Sequence, residues 1–319
     1  MRVLTWHVHG SWMTSFVAGP NEYLLPVLPD RGPNGRGRAR TWQWPAAAVE
    51  LGPDTLRETR VDVVVLQRPT EVELLERWTG LRAGIDVPAV YVEHNAPPMS
   101  AACSRHPLAD RCDIPIVHVT GFNALMWDCG RAPTTVIEHG IVDPGPLYTG
   151  ERRRLGVVVN EPVRRWRVAG TDLVATLAIQ LPMEIYGMGM GELAERVPAL
   201  ADHLHDDVPQ QRMHVLLAGN RAYFHPYRWT SLGLSLIEAM TLGMPVLALP
   251  VTAAPESVPA DAGVLSSDID MLTATARRWL ADPAEAAERG AAGRRHALKH
   301  FGLQRFLNDW QQLLKEVAR

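Results

Sequence analysis

The feature that most constrains this chain is an alternation of short apolar runs with longer amphipathic stretches. Gly, Pro or Asp bounds most of the runs, and the whole pattern is typical of βα units around a parallel sheet. In the first half of the chain, the predicted strands are residues 3–8, 61–66, 89–93, 116–120 and 135–137. In the second half, they are residues 155–159, 183–186, 213–218 and 245–248. The predicted fold class is therefore α/β, with two doubly wound Rossmann-like domains.

The domain boundary is predicted near residue 150. A chain of 319 residues is longer than one hydrophobic core usually supports, which favours two domains. Between the two series of strands lies a stretch rich in Pro and Gly, residues 142–150, and the charged run 151–154 follows it. We expect an N-terminal domain over residues 1–150 and a C-terminal domain over residues 151–319.

The last predicted helix spans residues 301–317. It places Phe306, Trp310, Leu313 and Leu314 on one face at helical spacing. A membrane anchor of this kind would be short and only weakly basic. Packing against the protein is favoured instead, and the N-terminal domain is a candidate partner.

Composition excludes several classes of protein. The net charge of -3 lacks the basic footprint of a nucleic-acid-binding protein. The three cysteines are an odd number without CxxC spacing, which disfavours a disulfide scaffold or a zinc site and fits a reducing compartment. No apolar run reaches the roughly 18 residues of a membrane helix. Because Met1 leads directly into a strand-like run, no signal peptide is expected and the predicted location is the cytoplasm.

Residues 30–40 form a loop rich in Gly and Arg, with arginines at 31, 36, 38 and 40. The pattern favours a solvated loop. The alternatives are a clamp for an anionic acceptor and a peripheral contact with a phospholipid surface.

The segment from Tyr223 to Pro250 carries the strongest functional signal. A strand end leads through a polar turn into a helix, and a Gly-x-Pro turn and another strand follow. The turn and the first helical residue would present backbone N–H groups to a diphosphate; these residues are Ser231, Leu232, Gly233 and Leu234. Glu238 lies about one and a half turns into the helix, where its carboxylate could accept hydrogen bonds from a pair of ribose hydroxyls. For an arbitrary βαβ unit, an ordinary buried helix would be the better interpretation.

The order of residues in this segment resembles the donor-binding element of the large family of retaining glycosyltransferases with the B fold (group 1, family 4 type), which includes sucrose synthases and starch synthases. The matching positions are Pro226, Gly233, Leu234, Glu238, Ala239, Met240, Gly243 and Pro245. The resemblance implies two Rossmann-like domains that face each other across a cleft, the GT-B fold. It also implies that Glu238 binds the donor ribose. The first glutamate of the family pattern falls here on Thr230, which offers a hydroxyl without a charge.

The resemblance extends to other segments. Residues 90–95 are similar to the family's strand that ends in a histidine beside the donor sugar, which places His94 in the site. Residues 136–143 are similar to a segment at the domain boundary, with His139 where Asn is usual. The family grips the donor diphosphate with an Arg and a Lys; the lysine position is Ala169 here, so the charges are assigned to Arg165 and Arg167. Gly10, after the first strand, is expected to face the diphosphate.

Two further motifs have weaker interpretations. Residues 189–194 superficially fit a dinucleotide fingerprint, but no acid ends the next strand, which weakens that interpretation. The resemblance to the B-fold family implies instead that this glycine turn, with Gly187 and Met188, lies beside the donor base. Asp268 and Asp270 spell a DxD signature of metal-dependent glycosyltransferases; their position at a helix start indicates ordinary capping. No metal and no cofactor are predicted.

The predicted activity is transfer of a hexosyl group from a nucleoside-diphosphate sugar to a hydroxyl acceptor, with retention and without a metal. The acceptor is a small molecule, a glycan or a lipid. Two alternatives stay open: a non-catalytic nucleotide-sugar-binding protein and a B-fold nucleotide-sugar 2-epimerase.

Overall fold

The chain folds into two α/β units, each built on one parallel sheet, and a computed structural model describes all of residues 1–319. The strands are β1 (Arg2–Thr5), β2 (Glu22–Pro26), β3 (Ala48–Leu51), β4 (Val63–Leu66), β5 (Ala89–Glu93), β6 (Ile116–His118), β7 (Thr134–Val136), β8 (Arg152–Val158), β9 (Met183–Gly187), β10 (Leu204–Asp206), β11 (Asn220–His225), β12 (Val246–Ala248) and β13 (Gly263–Leu265). The α-helices are α1 (Gly10–Phe16), α2 (Pro53–Glu58), α3 (Thr70–Thr79), α4 (Gly121–Met126), α5 (Thr171–Leu177), α6 (Met190–Arg196), α7 (Gln210–Ala218), α8 (Leu234–Leu242), α9 (Ala254–Ser257), α10 (Ile269–Ala281), α11 (Pro283–His300) and α12 (Leu303–Val317). Short 3₁₀ helices occupy Ala101–Cys103 and Pro198–His203.

The first unit comprises Met1–Val142 and Leu303–Arg319. Its seven strands lie in the order β3-β2-β1-β4-β5-β6-β7, and every neighbouring pair is parallel. The central strand β4 reads Val-Val-Val-Leu and is buried throughout, as expected of a strand with helices on both faces of its sheet.

Helix α12 returns to the first unit after the chain has completed the second. The Trp310 ring packs edge-on against Trp12 and Phe16 of α1, with ring centroids 5.5 and 5.1 Å apart. Phe306 is fully buried beside them. Of the predicted apolar face, Phe306, Trp310 and Leu314 are buried and Leu313 is half-buried.

The second unit, Asp143–Gly302, has six parallel strands in the order β10-β9-β8-β11-β12-β13. Its beginning lies before the predicted position near residue 150. The reason is that Asp143 accepts two hydrogen bonds from Arg294 of α11, at 2.8 and 2.7 Å. In addition, the hydroxyl of Tyr148 donates to the Arg221 carbonyl at 2.7 Å. These contacts tie the Pro- and Gly-rich stretch to the second unit.

The strand predicted at residues 213–218 is wrong, because this segment is the second half of helix α7. The segment is short and apolar except for His214, a pattern that fits a buried strand or a buried helix equally well. The next strand is β11, Asn220–His225. Strands β2, β3, β10 and β13 were not predicted, whereas residues 89–93 form β5 as expected.

The arginine-rich loop of residues 30–40 is held by two of its own arginines, contrary to the prediction of a solvated loop. Arg31 donates to both carboxylate oxygens of Glu50, at 2.8 and 2.9 Å. Arg38 donates to the carbonyls of Trp44 and Pro45, at 2.5 and 2.9 Å. These side chains therefore satisfy acceptors within the unit. Arg36 and Arg40 are exposed.

None of the helices combines the length and the apolar character that crossing a membrane requires.

Candidate functional site

The second unit has a topological switch between β8 and β11. From β8 the chain builds outward through β9 and β10, then crosses back to place β11 on the other side of β8. In open α/β sheets, ligands bind at the carboxyl ends of the strands at such a switch. The loops that follow β8 and β11 lie side by side there, and the backbone N–H of Arg228 donates to the Val168 carbonyl at 3.0 Å.

The predicted diphosphate-binding turn precedes helix α8. The helix begins at Leu234, and Gly233 is its N-cap residue with no side chain capping the end. Backbone N–H groups of the first turn and the positive end of the helix dipole therefore face the switch. Ser231 and Leu232 are buried in the turn, and Thr230 is half-buried just before them.

An aromatic stack underlies this turn. The buried imidazole of His225 stacks on Tyr227 with centroids 4.7 Å apart, and a Cβ on Gly233 would stand 2.4 Å from His225 Cε1. Burial lowers the pKa of His225 to about 3 and raises the pKa of Tyr227. The imidazole is therefore neutral near pH 7, and Gly233 packs directly against it.

Arg165 and Arg167, both predicted to bind diphosphate, have different surroundings. The guanidinium of Arg165 lies 5.5 Å above the centre of the Tyr227 ring, a cation–π distance. Arg167 instead donates to Asp172 at 2.6 Å, and Arg228 donates to both oxygens of the same carboxylate, at 2.6 and 2.9 Å. Burial acts against ionisation of Asp172, but the bonds from Arg228 and Arg167 outweigh it and lower its pKa.

Arg164 and Ala169 are neighbours of these two arginines in the same loop. Arg164 forms an ion pair with Glu161 of the same loop. Ala169, at the position where the family pattern has a lysine, is fully buried. Arg165 is thus the arginine of this loop whose guanidinium lies against the aromatic stack of the β11 turn.

Glu238, the predicted ribose ligand, lies on α8 and is buried. Its Oε1 accepts a hydrogen bond from Gln210 Nε2 at 3.0 Å. Its Oε2 lies 3.7 Å from His214 Nε2, which is too far for a hydrogen bond. Both partners belong to α7, which contacts α8.

Gly187 and Met188 form the turn that follows β9. Gly187 has φ of 145°, and a Cβ there would collide with the Val159 carbonyl oxygen at 1.9 Å, so only glycine fits. The backbone N–H of Met188 donates to Asn160 at 3.0 Å. The turn is therefore fixed next to the loop after β8, with the Met188 side chain 49% exposed.

The DxD sequence begins helix α10. Asp268 is the N-cap residue, and its Oδ1 accepts from the backbone N–H groups of Asp270 and Met271 at 2.9 and 3.2 Å. Asp268 thus caps the helix, as its position in the sequence predicts.

In the first unit, three imidazoles gather at the carboxyl edge of the sheet. His94 follows β5, and its ring lies 4.3 Å from that of His9, which precedes α1. Burial, and then the neighbouring His9 and His139, lower the pKa of His94 well below its usual value. Burial lowers that of His139 to about 3. The imidazoles of His94 and His139 are therefore neutral near pH 7. Gly10, the first residue of α1, lies beside the Trp42 ring.

Gln67 holds the groups at this edge in place. It was not assigned to the site from the sequence. Its Oε1 lies 3.0 Å from His94 Nε2, and its Nε2 donates to the Trp6 carbonyl at 2.7 Å. The signal was present, because Gln67 is the first polar residue after the fully apolar β4. Other residues not assigned to the site from sequence were Tyr227, His225, Gln210 and His214.

The predicted residues thus form two groups. The group in the second unit comprises Arg165, Arg167, Gly187, Met188, Thr230, Ser231, Leu232, Gly233, Leu234 and Glu238. Gly10 and His94 belong to the first unit.

A comparison with known protein families gives a match to one segment of the chain. Residues 202–296, under a third of the chain, match the family described as Glycosyl transferases group 1. No curated protein is close enough in sequence to be matched.

Solved structures match over the whole chain. One is a sucrose-phosphate synthase from Thermosynechococcus elongatus, with 14% identity, a TM-score of 0.69 and 99% of each chain covered. Anabaena HepE in complex with UDP-glucose has 14% identity and a TM-score of 0.67, over 99% of this chain and 100% of its own. A glycosyltransferase from Rickettsia africae has 12% identity and a TM-score of 0.66, over 100% of this chain and 98% of its own. At these identities the likeness establishes the fold, and the chain has the two-domain GT-B fold.

Proposed function

We propose that this chain is a glycosyltransferase that moves a hexosyl group from UDP-sugar to a hydroxyl acceptor with retention and without a metal. The matched family segment and the GT-B fold support a glycosyltransferase. The observation that carries the proposal is the arrangement at the switch point: a helix N-terminus beside Gly233, an arginine over Tyr227 and a buried carboxylate on the same helix. UDP is chosen because HepE, of the same fold, is solved with UDP-glucose.

Each part of a nucleotide sugar has a counterpart in this arrangement. The diphosphate would lie at the N-terminus of α8, where backbone N–H groups and the helix dipole favour negative charge. Glu238 would accept hydrogen bonds from the ribose hydroxyls, and the exposed Met188 would lie against the base. Thr230 would offer a hydroxyl to the sugar.

The chemical difficulty is the departing diphosphate. In the reaction, the bond between the anomeric carbon and the phosphate oxygen breaks and its electron pair stays with UDP. The acceptor oxygen forms the new bond to the anomeric carbon, and its proton goes to the diphosphate. Arg165 and the α8 N-terminus would stabilise the developing negative charge. Arg167 is the weaker candidate, because it is already bonded to Asp172.

Within the first unit, His94 is the candidate for binding a sugar hydroxyl. His94 is neutral near pH 7 because burial lowers its pKa, so it can exchange hydrogen bonds with a sugar hydroxyl without bringing a charge. Gln67 would hold its ring in place through the 3.0 Å contact to Nε2.

Thermal unfolding with UDP, GDP, ADP and their sugars tests the nucleotide assignment. A ligand at 100 times its dissociation constant adds about 2.7 kcal/mol to the stability of the protein. We expect stabilisation by UDP and UDP-sugars that is lost in Glu238→Ala. Stabilisation by none of the nucleotides would contradict the proposal. Stabilisation by GDP or ADP alone would show that the donor carries guanine or adenine instead of uracil.

A second function, nucleotide-sugar binding without catalysis, is favoured by two observations. Ala169 is buried where the family pattern has a lysine, and Thr230 carries no charge where it has a glutamate. The two functions differ in turnover. A UDP-sugar incubated with a panel of hydroxyl acceptors should release UDP if the chain is a transferase, and tight binding without UDP release would support the binding protein. Nuclear magnetic resonance of the same samples would reveal an epimerised donor.

A further inference from the structure

Two residues of helix α7 converge on the carboxylate of Glu238. Gln210 is the first residue of α7, and His214 follows one turn later, so both side chains lie on the same face of the helix. Gln210 Nε2 donates to Oε1 of Glu238 at 3.0 Å. His214 Nε2 lies 3.7 Å from Oε2. One helix thus approaches both oxygens of a carboxylate that belongs to another helix.

The burial of these groups makes their contacts matter. Glu238 and His214 are 4% and 6% exposed. A buried carboxylate must be hydrogen-bonded, and a hydrogen bond also fixes the orientation of its flexible side chain. His214 Nε2 is itself buried and has no hydrogen-bond partner. Since it lies just beyond bonding distance of Oε2, a small movement of either side chain, or a ligand hydroxyl beside them, would satisfy it.

A carboxylate has about four acceptor positions on its two oxygens. The bond from Gln210 is made to Oε1, one of these two oxygens. A carboxylate held in one orientation binds such a diol better than a mobile one, because less rotational freedom is lost on binding.

We propose that Gln210 and His214 are positioning residues that aim Glu238 at the ribose hydroxyls and set the preference for ribonucleotides over 2′-deoxyribonucleotides. The inference rests on the proposed function, since it assumes that Glu238 binds ribose. It adds two residues of a separate helix to that recognition.

A merely structural role for the pair would have a different consequence. If Gln210 and His214 only joined α7 to α8, their loss would destabilise the unit and lower the affinity for every nucleotide by the same factor. A positioning role weakens the binding of the ribonucleotide more than that of the 2′-deoxyribonucleotide, because the deoxy compound lacks one of the two hydroxyls that Glu238 would bind.

Calorimetric titration of the full chain with UDP and dUDP, GDP and dGDP, and ADP and dADP separates these roles. The variants are Gln210→Leu and His214→Phe, with Gln211→Ala as the control because Gln211 is exposed next to Gln210. We expect Gln210→Leu to weaken the binding of the ribonucleotide about tenfold, as for the loss of one hydrogen bond to a charged group, and His214→Phe to weaken it less, because Nε2 lies 3.7 Å from Oε2. The 2′-deoxyribonucleotide should lose less affinity, so that the ratio of the two affinities falls, and the control should change neither affinity. His214→Gln, which keeps a side-chain donor, should restore part of the preference.

The outcomes separate this inference from the proposed function. Gln210 is half-buried at a helix end, so Gln210→Leu is expected to fold and can be tested even if His214→Phe does not. Equal weakening of both nucleotides, or an unchanged ratio, would overturn the positioning role and leave the proposed function intact. If the unaltered chain bound none of the six nucleotides, both would be overturned.

Discussion

Gly233 lies against the imidazole of His225, so closely that a methyl group in place of its hydrogen would be 2.4 Å from Cε1. His225 cannot easily move away, because it is buried and stacked on Tyr227. The absence of a side chain at residue 233 therefore serves the packing beneath the turn as well as the approach of a ligand above it.

Gly233→Ala should consequently lower both stability and nucleotide affinity. We expect overpacking to cost about 1–3 kcal/mol of the free energy of unfolding. Denaturant unfolding measures this cost, and calorimetry with UDP measures the affinity. Gly191→Ala is the matched control, since a Cβ at this position in α6 meets nothing within 4 Å. Equal stabilities of the two variants would show that the turn above His225 can shift to accommodate the added methyl group without a cost in stability.

Arg165→Ala should weaken the binding of UDP, while Arg164→Ala should leave it nearly unchanged. The two arginines are adjacent in sequence, but Arg165 lies over Tyr227 and Arg164 is paired with Glu161. Loss of a charge-assisted bond to phosphate is expected to reduce affinity at least about tenfold. Titration with UDP at two salt concentrations checks this, and uridine, which lacks the diphosphate, should bind both variants alike. A larger effect at Arg164 would mean that the loop rearranges on binding.

Arg228→Ala should destabilise the second unit. Arg228 donates to both oxygens of Asp172, and its loss leaves Arg167 as the remaining arginine on that carboxylate. The expected cost is about 1–3 kcal/mol, the range for hydrogen bonds to a charged group. Urea unfolding gives the value. If Arg228→Ala cost as much stability in an Asp172→Asn background as in the unaltered chain, the carboxylate would not be the partner that matters.

Stability should fall as the pH is lowered below about 6.5. Burial lowers the pKa of His139 and His225 to about 3, whereas an unfolded histidine titrates near 6.5. Between these values the unfolded chain binds protons that the folded chain does not. Each histidine therefore removes about 1.4 kcal/mol of stability per pH unit as the pH falls through this window. Above about 6.5 both states are neutral at these residues and the effect vanishes.

His139→Asn should reduce the slope of stability against pH by the contribution of one histidine. Unfolding by urea at pH 5.5, 6.0 and 7.5 measures the slope for the variant and the unaltered chain. Parallel curves would mean that His139 is protonated in the folded state, contrary to its burial.

Trp310→Ala should destabilise the first unit by about 3–5 kcal/mol, the usual range for removing a buried aromatic side chain. The ring of Trp310 packs against Trp12 and Phe16, far along the sequence. Exposed Lys315 on the same helix provides the control variant Lys315→Ala. Similar unfolding midpoints for the two variants would contradict the packing of α12.

Sequence reasoning predicted the fold because buried parallel strands leave a strong local signal. The apolar runs of β4 and β5 lie between turn residues, and this pattern predicts both strands. The signal failed at residues 213–218, where an apolar run of the same length belongs to a helix. Short, partly exposed strands such as β10 leave too little apolar pattern to be found.

The candidate site was predictable where its residues are close in sequence. Gly233 and Glu238 belong to one turn and helix, so their spacing defines their relation. Contacts between distant segments could not be predicted in the same way. Asp172 binds Arg228, 56 residues away, and this pairing distinguishes Arg167 from Arg165. Gln210 reaches Glu238 from a helix that had been predicted as a strand.

The return of α12 to the first unit has a consequence for the order of folding. The second unit is a continuous segment of chain, so all of its residues are available as soon as Gly302 has been synthesised. The first unit is missing the helix that covers Trp12 and Phe16 until residues 303–317 have also been synthesised. Domains generally complete folding in the order of synthesis. Here we expect the second unit to complete its fold before the first, because the first unit needs residues from both sides of it in the sequence.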